Sequence, residues 1–303
     1  MNMQEETVVS EVCDQMKTRI LTACVCVPMA VAVLWLGVYF SWVFTATLLA
    51  LCFIGIHEAL KTAGADNVKI IYAPCFAYGA VVLLAPYITN PVKMYGTVMA
   101  ASMIFLFVMF GILLKKHSEL RIEKVCTSMI LTMFVALPFM VLEMIFGVSL
   151  KTSDAASHAL GLSLTVYCLV VAWMADIGAY FIGRTFGKHK LAPVLSPKKT
   201  IEGSVGGFLI SMIFSIGAAY LYADVFQCTP KDINYLNLTL ITAICILMSM
   251  FGDISFSTVK RQYGIKDFGN LLPGHGGVLD RFDSVLFVCP TFFMLNIVLP
   301  VLK

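Results

Sequence analysis

Apolar residues in this chain come in long unbroken runs, not at every second position and not on one narrow helical stripe. Nine such runs can be marked, near 20–40, 42–60, 69–88, 94–114, 125–147, 160–183, 203–223, 236–257 and 284–302. Each is close to the ~20 residues that a helix needs to cross the hydrocarbon core of a bilayer. A membrane β-barrel would instead show short segments of alternating polarity. The pattern predicts an all-α, multi-pass integral membrane protein with about nine transmembrane helices. The first two runs are separated by little more than a turn.

The polar positions give this bundle a direction. With the N-terminus cytoplasmic, seventeen of the 21 lysines and arginines fall on the cytoplasmic side, and only Lys93, Lys151, Lys231 and Lys303 fall outside. That asymmetry is the positive-inside bias, and nine spans then place the C-terminus outside. The polar, acidic start "MNMQEETVVSEVCDQMKTR" lacks the basic region and cleavage site of a signal peptide, so the first run is expected to remain as a helix. The expected organisation is an N-terminal set of about five spans in 1–150 and a C-terminal catalytic membrane domain in 151–303. The two longest cytoplasmic connections, 184–202 and 258–283, both lie in the second half and are rich in Gly, Pro and charge. Long structured connections tend to carry function.

Composition agrees with the run pattern. The chain is 59% hydrophobic and 13% charged, against roughly 25% charged in soluble domains. A net charge of +3 is too small to point to nucleic acid. The ten cysteines include no CxxC pair and mostly sit inside apolar runs, so they read as small hydrophobes, not as zinc ligands or a redox pair.

Chemistry gathers in the two long connections. Asp280 and Asp283 are three apart, which puts them on one side of a helical first turn. Asp253 stands near the cytoplasmic end of the eighth run, and Asp176 poses the same problem in the sixth. A bare carboxylate in the bilayer costs at least ~2.5–3.5 kcal/mol, so a cation, a basic partner or a wet cleft must offset it. Hard oxygen ligands shared with substrate phosphates suit Mg²⁺, and Asp253, Asp280 and Asp283 are the expected set. Lys198 and Lys199 precede the seventh run, Lys260, Arg261 and Lys266 follow the eighth, and Arg281 stands between the two acids. Gly274, Gly276 and Gly277 flank His275. Basic side chains beside glycine turns with exposed N–H groups form phosphate sites. Glu202 is placed to cap the seventh helix, and His57 and Glu58 end the second run towards the same cleft. The residues together describe a metal-and-phosphate site at the inner membrane surface. A nucleotide or diphosphate supplies the phosphates, and a lipid entering sideways between helices is the second substrate.

The stretch "STVKRQYGIKDFGNLLPGHGGVLDRFD", residues 257–283, resembles the signature of the phosphatidate cytidylyltransferases, and "DIGAYFIGRTFGKHKLAPVLSPKKTIEG", residues 176–203, is similar to a second block of that family. Ile201 stands where many members carry Trp. The likeness covers roughly the last 130 residues; the first 150 are similar only in hydropathy, apart from Glu58. The resemblance implies transfer of CMP from CTP to phosphatidic acid, giving CDP-diacylglycerol and pyrophosphate. It implies a homodimer in a cell membrane with a cytoplasmic site holding Mg²⁺, and it admits a second, monovalent cation such as K⁺. Carried over by position, Asp253, Asp280 and Asp283 are the metal acids, and Lys266, Asp267, Gly274, Gly276 and Gly277 belong to nucleotide binding. Lys198, Lys199, Lys260, Arg261 and Arg281 screen phosphate charge, with His275 as an orienter. The alternatives are a CTP-dependent polyprenol or phytol kinase and an ion-coupled transporter. A CDP-alcohol phosphotransferase is excluded, because "DIGAYFIGR" lacks the required Asp-Gly-x-x-Ala-Arg block.

Overall fold

The computed structural model describes residues 3–65, 68–147, 155–193, 195–225 and 233–301. Most of them are helical. Helix α1 (Met3–Tyr39) passes through the single residue Phe40 into α2 (Ser41–Thr62). Helix α3 (Tyr72–Leu84), lengthened at both ends by 3-10 turns, precedes α4 (Pro91–Lys115) and α5 (Ile122–Gly147). Helix α6 (Ala155–Phe186) leads to a hairpin of β1 (Lys190–Ala192) and β2 (Ser196–Thr200), then to α7 (Ile201–Val225) and α8 (Tyr235–Gln262). A short α9 (Leu279–Phe282) and α10 (Val285–Val298) close the chain.

Local signals set these boundaries. The Asn90 side chain accepts the Lys93 N–H at 3.1 Å, and Pro91 occupies the first turn of α4. Asn234 caps α8 through the Asn237 N–H at 3.3 Å. Thr200 caps α7 through the Gly203 N–H at 3.1 Å, the role expected of Glu202.

Among the described residues, eight helices are long and apolar enough to cross a membrane. The ninth expected span departs from this. Residues 284–302 yield only the 14-residue α10, about 21 Å long at ~1.5 Å per residue. Together with α9 and the linking Asp283 and Ser284, both at helical backbone angles, it approaches a bilayer's ~30 Å.

Helix α5 is central: 67% of its apolar window is buried, against 6% for α1 and 11% for α4, which face outwards at the rim. One hydrophobic cluster runs from Phe44 to Val301, so the core is continuous across the expected boundary at residue 150. Helices α6 and α7 form the closest pair. A β-carbon on Gly207 would come within 2.9 Å of the Ala179 nitrogen and also meet the Ala175 carbonyl oxygen. Small residues let backbones approach in this way inside membranes.

Polar contacts identify the two ends of the bundle. At one end Thr45 donates to Glu143 at 2.7 Å and shares a hydrogen bond with Tyr87 at 2.6 Å. At the other end Lys124 reaches the Gly64 carbonyl at 3.3 Å, Tyr263 donates to Thr127 at 2.9 Å, and Thr22 donates to the Pro273 carbonyl at 3.0 Å. Both long charged connections lie at this second end.

Candidate active site

The connection after α8 folds back on itself. Leu272 and Gly276 exchange backbone hydrogen bonds of 2.9 and 3.1 Å, and the His275 N–H also reaches the Leu272 carbonyl at 2.8 Å. So tight a turn needs left-handed backbone, which Gly274 (φ 75°) and Gly276 (φ 87°) supply. The turn forms one wall of a cavity of about 620 Å³, a size suited to a nucleotide-scale ligand. Lys266, Asp267 and Asn270 line it before the turn, Gly274, His275 and Gly276 within it, Arg281 from α9 and Lys198 from β2. Three of these are cations and one is an acid. The buried Nδ1 of His275 makes no hydrogen bond among the described residues.

Two carboxylates pin this wall. Asp280 Oδ1 pairs with Lys260 Nζ at 2.8 Å, while its Oδ2 accepts the N–H groups of Phe268 at 2.8 Å and Gly277 at 2.9 Å. Glu58, from the last turn of α2, accepts the N–H groups of Val278 at 3.0 Å and Leu279 at 2.9 Å. Gly277 is therefore packed against Glu58 and stands apart from the cavity lining.

Beside the cavity lies a cluster of acids. Lys199 forms an ion pair with Asp253. Ser257 donates to Asp253 at 3.4 Å, and Ser284 donates to Asp176 at 3.1 Å. Asp283 is buried and accepts the Ser284 N–H at 2.8 Å. Burial first, then the negative charges of Asp253 and Asp176, push its carboxyl well above the usual range; Lys260 and the Ser284 N–H pull the other way. Neighbouring carboxylates that cannot all ionise behave in this manner.

The structure thus regroups the expected residues. Asp253 and Asp283 come together with Asp176, which sequence spacing did not assign to the set. Asp280 differs from them in its partners: Lys260 and two backbone donors engage both of its oxygens, and Lys260 also acts on Asp283. Among the described residues no three His, Cys, Asp or Glu side chains stand at metal-ligand spacing. Lys198 and Lys199 face opposite ways because side chains alternate along a strand. Arg261 donates to the Leu195 carbonyl at 3.4 Å and the Ile265 carbonyl at 3.1 Å, so it ties the hairpin to α8. Glu202 accepts the Lys188 N–H at 3.0 Å and pairs with His189 Nδ1 at 2.6 Å, fastening the start of the hairpin. His57 lies beside the Tyr72 ring, 5.8 Å between centroids. Asn270, inside the 257–283 stretch, is a lining residue outside the expected set.

A model of the Cytidylyltransferase family matches residues 17–299. The chain is similar to the phosphatidate cytidylyltransferase of Staphylococcus aureus (strain COL), 32% identical over 290 residues, covering 94% of this chain and 99% of that protein. It is 46% identical over 136 residues to the phosphatidate cytidylyltransferase of Bacillus subtilis (strain 168), a match covering 45% of this chain and 48% of that protein. With the enzyme of that name from Staphylococcus haemolyticus (strain JCSC1435) it shares 46% identity over 147 residues, 48% of this chain and 52% of that protein. The chain therefore spans about half the length of the last two relatives it matches, and nearly all of the first.

Proposed function

The chain belongs to the Cytidylyltransferase family, and from that premise we propose that it transfers CMP from CTP to phosphatidic acid. A phosphate oxygen of phosphatidic acid attacks the α-phosphorus of CTP. The bond from that phosphorus to the bridging oxygen breaks, pyrophosphate leaves, and CDP-diacylglycerol remains in the bilayer. The attacking phosphate is ionised near neutral pH, so positioning and charge neutralisation are the main demands.

The observation that carries this reading is the cavity with Lys198, Lys266, Arg281 and His275 on its walls, beside buried carboxylates at one end of the bundle. The three cations would hold the triphosphate and the departing pyrophosphate. His275 would orient a phosphate oxygen from the cavity wall. Asp176, Asp253 and Asp283 fit Mg²⁺ in kind: they are hard oxygen donors from three elements, with Lys199 as the cation paired to the set. Bound there, Mg²⁺ would supply neutralisation for two anionic substrates. A second, monovalent cation such as K⁺ would add to it. We place the site on the cytoplasmic face of a cell membrane, with the N-terminus inside and the C-terminus outside, supported by the seventeen-to-four distribution of basic residues. The homodimer is inferred from family resemblance.

Purified protein given radiolabelled CTP, phosphatidic acid and Mg²⁺ should release a lipid-soluble cytidine product. Labelled lipid from γ-labelled CTP, or solute uptake into sealed vesicles without CTP, would favour the kinase or the transporter instead.

A further inference from the structure

The wall of the cavity is fixed from outside its own loop. Glu58 lies 221 residues before Leu279 in the chain, yet its two oxygens divide between the N–H groups of Val278 and Leu279. These donors stand at the start of α9, where no helical carbonyl is available to them. A carboxylate is a strong partner for such N–H groups. Glycines crowd it on both sides: a β-carbon on Gly269 or Gly277 would run into its oxygens. The cavity side of the segment is thus held to α2, whereas Lys198 reaches the same cavity from β2.

We propose that Glu58 is a positioning residue for cytidylyl transfer. It sets segment 269–281 at the place where His275 and Arg281 meet the same triphosphate that Lys198 holds. Glu58 itself touches neither substrate. The inference rests on reading the cavity as the nucleotide site.

Glu58→Gln keeps the size of the side chain but turns one acceptor into an NH₂ group that faces a backbone donor. One of the two bonds is lost and the segment shifts. A misplacement of ~1 Å can cost ~100-fold in rate, so kcat/KM for CTP should fall roughly ten- to hundredfold. KM for phosphatidic acid should stay within about twofold, since that substrate enters from the bilayer. Trypsin cleavage after the exposed Lys266, measured in detergent without any reaction, should become several-fold faster. Glu119→Gln, at a surface pair with Lys116, serves as the unaffected control. Should Glu58→Gln not fold, Gly269→Ala crowds the same carboxylate at unchanged charge and carries the same expectation.

A kcat/KM for CTP within twofold of wild type overturns the proposal, whatever happens to the melting temperature. Faster cleavage without a kinetic change overturns it equally. Wild-type protein that makes no cytidine lipid would remove the activity reading alone. The cleavage comparison would then still decide whether Glu58 holds the segment, and equal rates would refute it.

Discussion

Lys198 and Lys199 are adjacent in sequence but serve different partners, and their replacement should separate them. Lys198→Gln takes a cation from the cavity wall and should raise KM for CTP about tenfold with kcat little changed. Lys199→Gln leaves Asp253 without its partner and should lower kcat roughly a hundredfold, the scale of a ~1 Å misplacement of the groups beside the cavity. Lys116→Gln, beside exposed Glu119, should alter neither beyond twofold. Steady-state kinetics on the three proteins measure this. The acids divide in the same manner. Asp280→Asn breaks a buried pair with Lys260 and should cost about 3–5 kcal/mol of stability, seen as a lower melting temperature at unchanged Mg²⁺ demand. Asp283→Asn should fold normally and need more Mg²⁺ for half-maximal rate. A higher Mg²⁺ demand in Asp280→Asn alone would restore the set expected from spacing. That spacing suggested a shared face for Asp280 and Asp283. Helix α9 ends between them at Phe282, although Asp283 and Ser284 keep helical backbone angles; Asp280 bonds Lys260 and two backbone N–H groups, while Asp283 lies among Asp253, Asp176 and Lys260. No spacing rule joins Asp176 to Asp283 across 107 positions; only packing of α6 against α10 does.

At the scale of elements, the spans were legible because each is a continuous apolar run, and eight of the nine expected runs became long helices. The last was overestimated, since its apolar residues continue past Val298 while the helix does not. The hairpin was not foreseen. Its strands have three and five residues and contain or adjoin Pro193 and Pro197, which usually argue against strand. The closeness of α6 and α7 gives a test that does not involve the site. Gly207→Leu must displace backbone of α6 and should cost about 1–3 kcal/mol through overpacking. Gly217→Leu, on the same helix with open space around its α-carbon, should cost nothing measurable. Thermal unfolding of the two variants in detergent compares them, and equal melting temperatures would show that the glycine contact is not limiting.

For the whole molecule, topology is the open comparison. Reporter fusions after Lys116 and after Lys303 should fall on opposite sides of the membrane; a common side would remove the odd number of crossings. The basic-residue asymmetry was readable because it is a sum over many loops, whereas the contact between α2 and the far end of the chain depends on folding alone. That contact also orders events during synthesis. Glu58 leaves the ribosome 220 residues before Val278, which at ~5–20 residues per second is roughly ten to forty seconds. Throughout that interval the earlier helices can insert and pack, but the segment they must grip does not yet exist. The pocket can therefore close only after Val278 has been made. A ribosome stalled before Val278 would leave a membrane-embedded chain whose Glu58 has none of the N–H partners that fix the cavity wall.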